Sequence, residues 1–500
     1  MSGLYIGKRK DEQMLLPEAK LYIDGVIRTA AGGKTYDKIG PWTGEVVGKA
    51  AEASRADVEA AIVAARRAFD TTDWSTRHSY RHGLLTRFRD QLRANREKLV
   101  EIVRHEAGSA LGAAFGAQVD GAIEGASDLL EIFPNIQWEV DRGSRRQYGI
   151  NTARQVLREG VGVVGAITPW NVPLYVNLAK VVSALLAGCT VILKPAPETP
   201  LAGAILAEFA VAAGFPAGVF NVITSSDPAM AGEMLVTDPR VDLITFTGST
   251  AVGKRIMEKG AATLKRVFLE LGGKSANIIL DDAPDFAASV MRSIVTFHAG
   301  QGCAISTRLL IPRSRYQEAV AALQKAYDGF ASRWGDFNDP TQVMGPVISK
   351  RQLDRVVSYV ELGKKDGAKL LAGGNIRTDK GGGFFLEPTC FIDVSNKMRI
   401  AREEIFGPVL VVIPYEDDED AIRIANDSDY GLSGVVFSGD KERAMRVARR
   451  MRTGSVSING GMCIAGDLPF GGYKSSGIGR EWGLEGIEEY LETKTIGVAA

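Results

Sequence analysis

The hydrophobic pattern divides the chain into an α-rich opening and two stretches of alternating strand and helix. Residues 56–69 and 80–106 repeat apolar positions with a helical period among strong helix formers, and 112–132 continues that section. From residue 160 onward, short and almost wholly apolar runs alternate with helical ones. Strands are predicted at 161–168, 190–194, 219–223, 242–247 and 266–271, with helices between them at 176–187, 201–213, 228–236 and 250–260. Strands that are apolar on both faces imply a parallel sheet covered by helices, with ligands at the carboxyl ends of the strands. This is a nucleotide-fold pattern.

A second α/β stretch follows Gly272 and Gly273, with strands at 275–280, 309–311, 409–414, 433–437 and 454–458 and helices at 285–298, 314–330, 350–364 and 440–451. Two sheet domains therefore meet near residue 272. The segment 142–159 carries Arg142, Arg145, Arg146, Arg154 and Arg158 and reads as a protruding polar ribbon. No repeat of 20 to 50 residues and no extended low-complexity tract interrupts this organisation.

Sixty Lys and Arg balance sixty Asp and Glu, so no global field draws the chain to nucleic acid or to a membrane surface. An apolar share of 45% and a charged share of 24% are those of a soluble globular protein. Glycine stands out at 56 residues, which suggests tight turns and close backbone approaches. Cys189, Cys303, Cys390 and Cys463 are too widely spaced for a disulfide framework and read as reduced thiols in a cytoplasmic protein. Residues 1–14 place Lys8, Arg9, Lys10, Asp11 and Glu12 where a signal peptide needs an apolar stretch, and the apolar run 181–193 is too short to span a bilayer.

Candidate chemistry begins at the strand-to-helix turn Phe246-Thr247-Gly248-Ser249-Thr250, continuing to Gly253, Lys254 and Arg255. Backbone N–H groups at a helix start favour anions, but Arg255 replaces the hydroxyl a P-loop needs, and the middle glycine of the dinucleotide fingerprint is missing. A phosphate contact and an ordinary tight turn both stay open. Cys303, flanked by Gly300 and Gly302, reads either as a small buried hydrophobe or as a nucleophile, and His298 five residues away is no evidence of a Cys/His pair. Glu270 ends an apolar strand, where a carboxylate is costly unless it meets solvent, a partner or a substrate. His78 and His82 share a helical face, yet Ser79 and the neighbouring Arg77 and Arg81 argue against zinc, and no metal is predicted.

Six blocks in order then carry a resemblance. Thr168-Pro169-Trp170-Asn171, Phe246-Thr247-Gly248-Ser249-Thr250, Leu269-Glu270-Leu271-Gly272-Gly273-Lys274, Gly300-Gln301-Gly302-Cys303, Glu403-Glu404-Ile405-Phe406-Gly407-Pro408 and Pro469-Phe470-Gly471-Gly472-Tyr473-Lys474-Ser475-Ser476-Gly477 resemble the aldehyde dehydrogenase superfamily, from about residue 20 onward. The resemblance implies an α/β fold with a Rossmann-type cofactor domain (1–141 and 160–271), a catalytic domain (272–475) and a small β oligomerisation arm (142–159 and 476–500) that builds a homodimer or homotetramer.

The implied reaction oxidises an aldehyde to its carboxylic acid with a nicotinamide cofactor and water. Cys303 matches the nucleophile, Asn171 the oxyanion donor, Glu270 the base that activates water, and Lys180 and Glu481 positions linked to proton relay. Lys194 matches a ribose contact, Ser249 a pyrophosphate contact, Glu404 the nicotinamide-ribose ligand and Phe406 a residue beside the nicotinamide; Thr168, Pro169, Trp170, Gly248, Gly253 and Leu271 complete the implied cofactor site. Many members read Lys-Pro-x-Glu where this chain has Lys194-Pro195-Ala196-Pro197-Glu198, so NAD is favoured while NADP stays possible. The segments matching the aldehyde tunnel contribute Val172, Tyr175, Val176, His298, Ile305, Met462, Cys463 and Ile464. With no arginine among them, they point to an uncharged apolar aldehyde. A CoA-acylating enzyme, or a catalytically silent homologue that keeps the fold, are the alternatives.

Overall fold

The computed structural model describes residues 16–330 and 333–499; the reading of 1–14 falls outside them. The largest sheet runs in the order Val26–Arg28, Leu21–Ile23, Phe220–Val222, Thr190–Lys194, Val163–Ile167, Leu243–Thr247, Arg266–Glu270, Gly477–Ile478. Its five central strands are parallel, and the outer pairings are antiparallel. Chain order reverses between Val163–Ile167 and Leu243–Thr247, which makes the carboxyl ends of those two strands the topological switch point where a crevice opens. Helix Pro173–Leu186 lies buried along nearly its whole length, because the run around residues 181–193 packs into the core between sheet and outer helices. Among the described residues no helix is long and apolar enough to cross a membrane.

A seven-stranded sheet forms the second layer system, in the order Lys369–Ala372, Thr389–Ile392, Val409–Tyr415, Arg308–Pro312, Ala276–Ile279, Ser433–Phe437, Ser455–Ile458, parallel except for its first strand. A separate three-stranded sheet joins Glu139–Gln147, Ile150–Gly160 and Leu491–Ala499, and nearly every residue of its two outer strands is exposed. Of the segment 476–500, only Leu491–Ala499 pairs with this ribbon; Gly477–Ile478 joins the first sheet and Gly483–Glu488 is a helix.

Three local expectations change. The predicted helix 80–106 is two helices, His78–Ala94 and Arg96–Ala107, broken where the Asn95 side chain donates to the Gln91 carbonyl at 2.9 Å, a local bond that competes with helix continuation. Helix 285–298 shrinks to Phe286–Met291, and a tight turn at Phe297–Gly300 then holds His298 and Ala299 at φ 44° and 50°. That turn swings the chain back so that Cys303 reaches the crevice. Strands Lys369–Ala372 and Thr389–Ile392 are too short to show a periodic signature, and helix Asp418–Asn426, whose Ala421, Ile422, Ile424 and Ala425 form one buried face behind an Asp417 cap, lies outside the predicted elements.

Candidate active site

The crevice at the switch point continues into the gap between the two large sheets. One part, a cavity of about 440 Å³, is lined by Thr168, Lys194, Pro197, Gly232, Thr247 and Val252, among others. A second, of about 480 Å³, holds Asn171, Ser249, Gly272, Cys303, Glu404 and Phe406. The two share Pro169, Trp170, Thr247 and Gly248, so they form one groove that starts at the strand ends and stops at Cys303. Ser249 caps helix Thr250–Gly260, its hydroxyl accepting from Val252 N at 3.4 Å, and this helix start faces the groove with the polarity that suits a phosphate. Gly253 does not line the groove. It lies one turn into the helix, where a Cβ would come within 2.6 Å of the Leu271 side chain, so its part is close packing against that residue.

Lys194 sits almost wholly buried at the end of its strand, and burial pulls its ammonium down to about 8 against the field of Glu198, Asp227 and Glu52. Glu198 does not line the first cavity and pairs with Arg351 at 3.0 Å. The acidic side chain on the wall of the first cavity is Glu233, which Arg255 holds. In the second cavity Glu404 accepts from Gly273 N at 2.8 Å, and burial pushes its carboxyl up to about 7. Trp170 and Phe406 stand edge to face, with ring centroids 5.3 Å apart. The segment Glu404–Phe406 is held from behind by helix Lys350–Lys365: Arg355 donates to the Glu404 carbonyl and Gln352 to the Phe406 carbonyl, both at 2.7 Å. Arg351, Gln352 and Arg355 were missed in the sequence, although the basic pair at i and i+4 just after the Ser349 cap was a signal for a polar helix start.

Gln301 fixes the Cys303 loop. Its side chain donates to the His298 carbonyl at 3.0 Å and accepts from Ile348 N at 2.8 Å, while its carbonyl accepts from Asn171 Nδ2 at 2.9 Å. An amide carries two N–H groups, so the bond to Gln301 leaves one for a ligand in the cavity that Asn171 and Cys303 share. His298 turns inward against Ser109, with burial lowering its pKa to about 4, and is not among the residues that line the cavity holding Cys303. Ile305 packs into the core of the second sheet. Tyr175 and Ile464 pack against the same cluster as Cys303, joined by Leu111 and Phe115, which sequence reading did not single out.

Cys303 is half-buried. Burial raises its thiol pKa, and the carboxylates of Glu270, Glu404 and Glu481 raise it further, so the resting sulfur keeps its proton. Glu270 is buried with neither carboxylate oxygen bonded to any described group, and burial followed by the field of Glu481 holds its pKa well above the carboxylate range, against Lys180 and Arg480. Lys180 and Glu481 form an ion pair in the interior, and Lys180 Nζ also donates to Thr245 Oγ1 at 3.0 Å. His78 stacks on Trp138 and His82 bonds the Leu130 carbonyl; among the described residues no cluster of His, Cys, Asp or Glu could hold a metal.

The model of the aldehyde dehydrogenase family matches residues 27–496. An aldehyde dehydrogenase of Mycobacterium tuberculosis, solved in complex with NAD+, is 41% identical and superposes with a TM-score of 0.91 over 96% of this chain and 98% of its own. Betaine aldehyde dehydrogenase of Staphylococcus aureus, also solved with NAD+, is 36% identical with a TM-score of 0.92 over 96% and 95% of the two chains. A cysteine-to-alanine variant of aldehyde dehydrogenase C from Pseudomonas syringae, in complex with NAD+ and octanal, is 38% identical with a TM-score of 0.88 over 97% and 96%. A groove that runs from a helix start to a half-buried cysteine, and a family match that spans nearly all of the sequence, agree: this chain belongs to the aldehyde dehydrogenase family.

Proposed function

We propose that this protein oxidises an uncharged, apolar aldehyde to its carboxylic acid with NAD, using Cys303 as nucleophile and Glu270 as the base that hydrolyses the resulting thioester. The observation that carries the reading is Glu270: a buried carboxylate without a partner, beside a half-buried thiol. The groove suits a dinucleotide. Thr168 Oγ1 and Thr247 Oγ1 are buried on its wall without partners, a helix start faces its middle, and Lys194 and Glu404 line it and would hold the ribose hydroxyls as donor and acceptor. When bound, the dinucleotide supplies the acceptor for the hydride that leaves the substrate carbon.

The protein's own groups account for the remaining chemistry. Cys303 gives its proton to the Glu270 carboxylate, which relays it inward, as Sγ attacks the aldehyde carbon, and the free N–H of Asn171 stabilises the alkoxide that forms on oxygen. Once the carbon has become a thioester, Glu270 takes a proton from the water that attacks it, its raised pKa making it a stronger base than an ordinary carboxylate, and the carboxylic acid departs as the Cys303 sulfur is released. Lys180 and Glu481 then form a buried route by which that proton can move inward.

The apolar surroundings of Cys303 favour an aliphatic or aromatic aldehyde. The carboxylates of Glu270, Glu404 and Glu481 act on Cys303, so a carboxylate-bearing aldehyde would approach the sulfur against negative charge. The ribbon at 139–160 with strand Leu491–Ala499 exposes two strand edges, as a homodimer or homotetramer arm would. Mixing enzyme, NAD and hexanal with and without CoA, and identifying the product, tests the reaction: acid formed without CoA supports it, and a strict requirement for CoA overturns it.

A further inference from the structure

Lys180 has a second anchor that the acid–base chemistry of the site has not used. Its ammonium is fully buried, pairs with Glu481, lies 4.9 Å over the Phe268 ring and donates to Thr245 Oγ1 at 3.0 Å. Tyr490 donates its hydroxyl to the same Thr245 oxygen at 3.3 Å, so Thr245 is itself held in place. Strands Leu243–Thr247 and Arg266–Glu270 are parallel and in register, Thr245 opposite Phe268 and Thr247 opposite Glu270. Side chains two apart on a strand share a face, and registered partners share it too, so Thr245, Phe268 and Glu270 all face the same side of the sheet. Glu270 stands one pleat beyond Phe268 toward the crevice, roughly 6.6 Å along the strand. The ammonium of Lys180 is thus seated one pleat behind the base.

We infer that Thr245 is a positioning residue: by holding Lys180 back toward Glu481 and Tyr490, it keeps the ammonium from pairing with Glu270 and leaves that carboxylate free to act as the base. This rests on the reading of Glu270 as the base. The charged and titratable groups that act on Glu270 are Glu481, Lys180 and Arg480, with the thiol of Cys303 beside it; those around Lys180 are Glu481 and Tyr490. Of the two cations near Glu270, Lys180 is the one whose seat depends on a neutral hydroxyl. Without that hydroxyl, a buried ammonium is short of a partner, and among the unpaired acceptors on this side, Asn177 Oδ1, Ser183 Oγ and the two oxygens of Glu270, only those of Glu270 belong to a carboxyl group and offer it a charge-assisted bond. An opposite charge within about 4 to 6 Å lowers a carboxylate pKa by about 1 to 3 units.

The test follows the decay of the acyl-enzyme in a single turnover with hexanal and NAD, from pH 5 to 9, in Thr245→Val, Thr245→Ala and Thr245→Ser. We expect the midpoint of the acidic limb to fall by about one unit or more in the Val and Ala variants, with a lower plateau because a less basic carboxylate activates water less well. Thr245→Ser, which keeps the hydroxyl, is expected to follow the wild type. Val and Ala variants that superpose on the wild-type profile overturn the inference, as does a Ser variant that shifts as far as they do. If one variant does not fold, the other carries the comparison with Ser. Should neither fold, Tyr490→Phe, which loosens Thr245, is read on the same profile: a downward shift supports the inference and an unchanged midpoint overturns it. Glu270→Gln run alongside separates the two readings. Normal acyl-enzyme decay in that variant removes the base itself, whereas a stalled acyl-enzyme with an unshifted Thr245→Val profile removes only the role of Thr245.

Discussion

The carbonyl oxygen of Cys303 lies where a Cβ on Gly273 would approach it to 2.2 Å, closer than any side chain allows. The same glycine donates its N–H to Glu404 at 2.8 Å, so one residue without a side chain brings the nucleophile loop and the groove's carboxylate together. Gly273→Ala must push that loop away, and overpacking of this kind costs about 1 to 3 kcal/mol. The variant is expected to lower kcat by at least about tenfold while retaining its fold, a loss that displacement of reacting groups by a fraction of an ångström readily produces. Steady-state rates and a thermal melt check it.

Cys303→Ala is expected to abolish aldehyde oxidation while leaving NAD affinity within a few-fold of wild type, since the rest of the groove is untouched. Glu270→Gln is expected to let the thioester accumulate, visible as a burst of reduced cofactor followed by slow turnover. The sign with pH follows from the raised pKa: the base works only when deprotonated, so deacylation rises with pH through an elevated midpoint, and the Gln variant loses that rise. Rapid-mixing absorbance and mass spectrometry of the quenched protein read both.

Cofactor choice is predicted from Pro197. This residue lines the groove wall, where Glu233 is paired with Arg255, while Glu198 is paired with Arg351, so the wall lacks a free carboxylate to repel a 2′-phosphate. Pro197→Glu supplies one. The ratio of kcat/KM for NAD over NADP is expected to rise by about tenfold or more, about 1.4 kcal/mol, relative to wild type and to a Pro197→Ala control.

Acid stability should report on His298. Its folded pKa of about 4 lies below the free value of about 6.5, so the folded state resists protonation. The neutral form's contribution is fully present above pH 6.5 and is lost as pH falls toward 4, amounting to about 3 kcal/mol over that span. His298→Asn does not titrate and tolerates the positive φ of this position. Its melting temperature is expected to fall less between pH 7 and 4.5 than that of the wild type; equal slopes would remove His298 as a source of acid lability.

The alternation of apolar strands and helices was legible because periodicity is a property of near neighbours: Thr190–Lys194, Thr250–Gly260 and Ser433–Phe437 lie where the pattern places them. The break at Asn95 was not, since helix formers surround it and the interruption comes from a side-chain bond, and neither was the tight turn at Phe297–Gly300, which rests on positive φ at His298 and Ala299. Among site residues, Cys303, Glu270 and Asn171 stood out through their motifs. Arg355, Gln301 and Thr245 did not, as each acts through a partner distant in the chain.

Residue order alone settles the two α/β halves, the parallel sheet and the chemical types available at each strand end, because these depend on local pattern and composition. Tertiary contact decides what those types do. Asn171 meets Gln301 across 130 residues and Lys180 meets Glu481 across 301. Only when such segments close around Glu270 is its pKa raised above that of an ordinary carboxylate, because ionisation is governed by desolvation and by charges brought near in space.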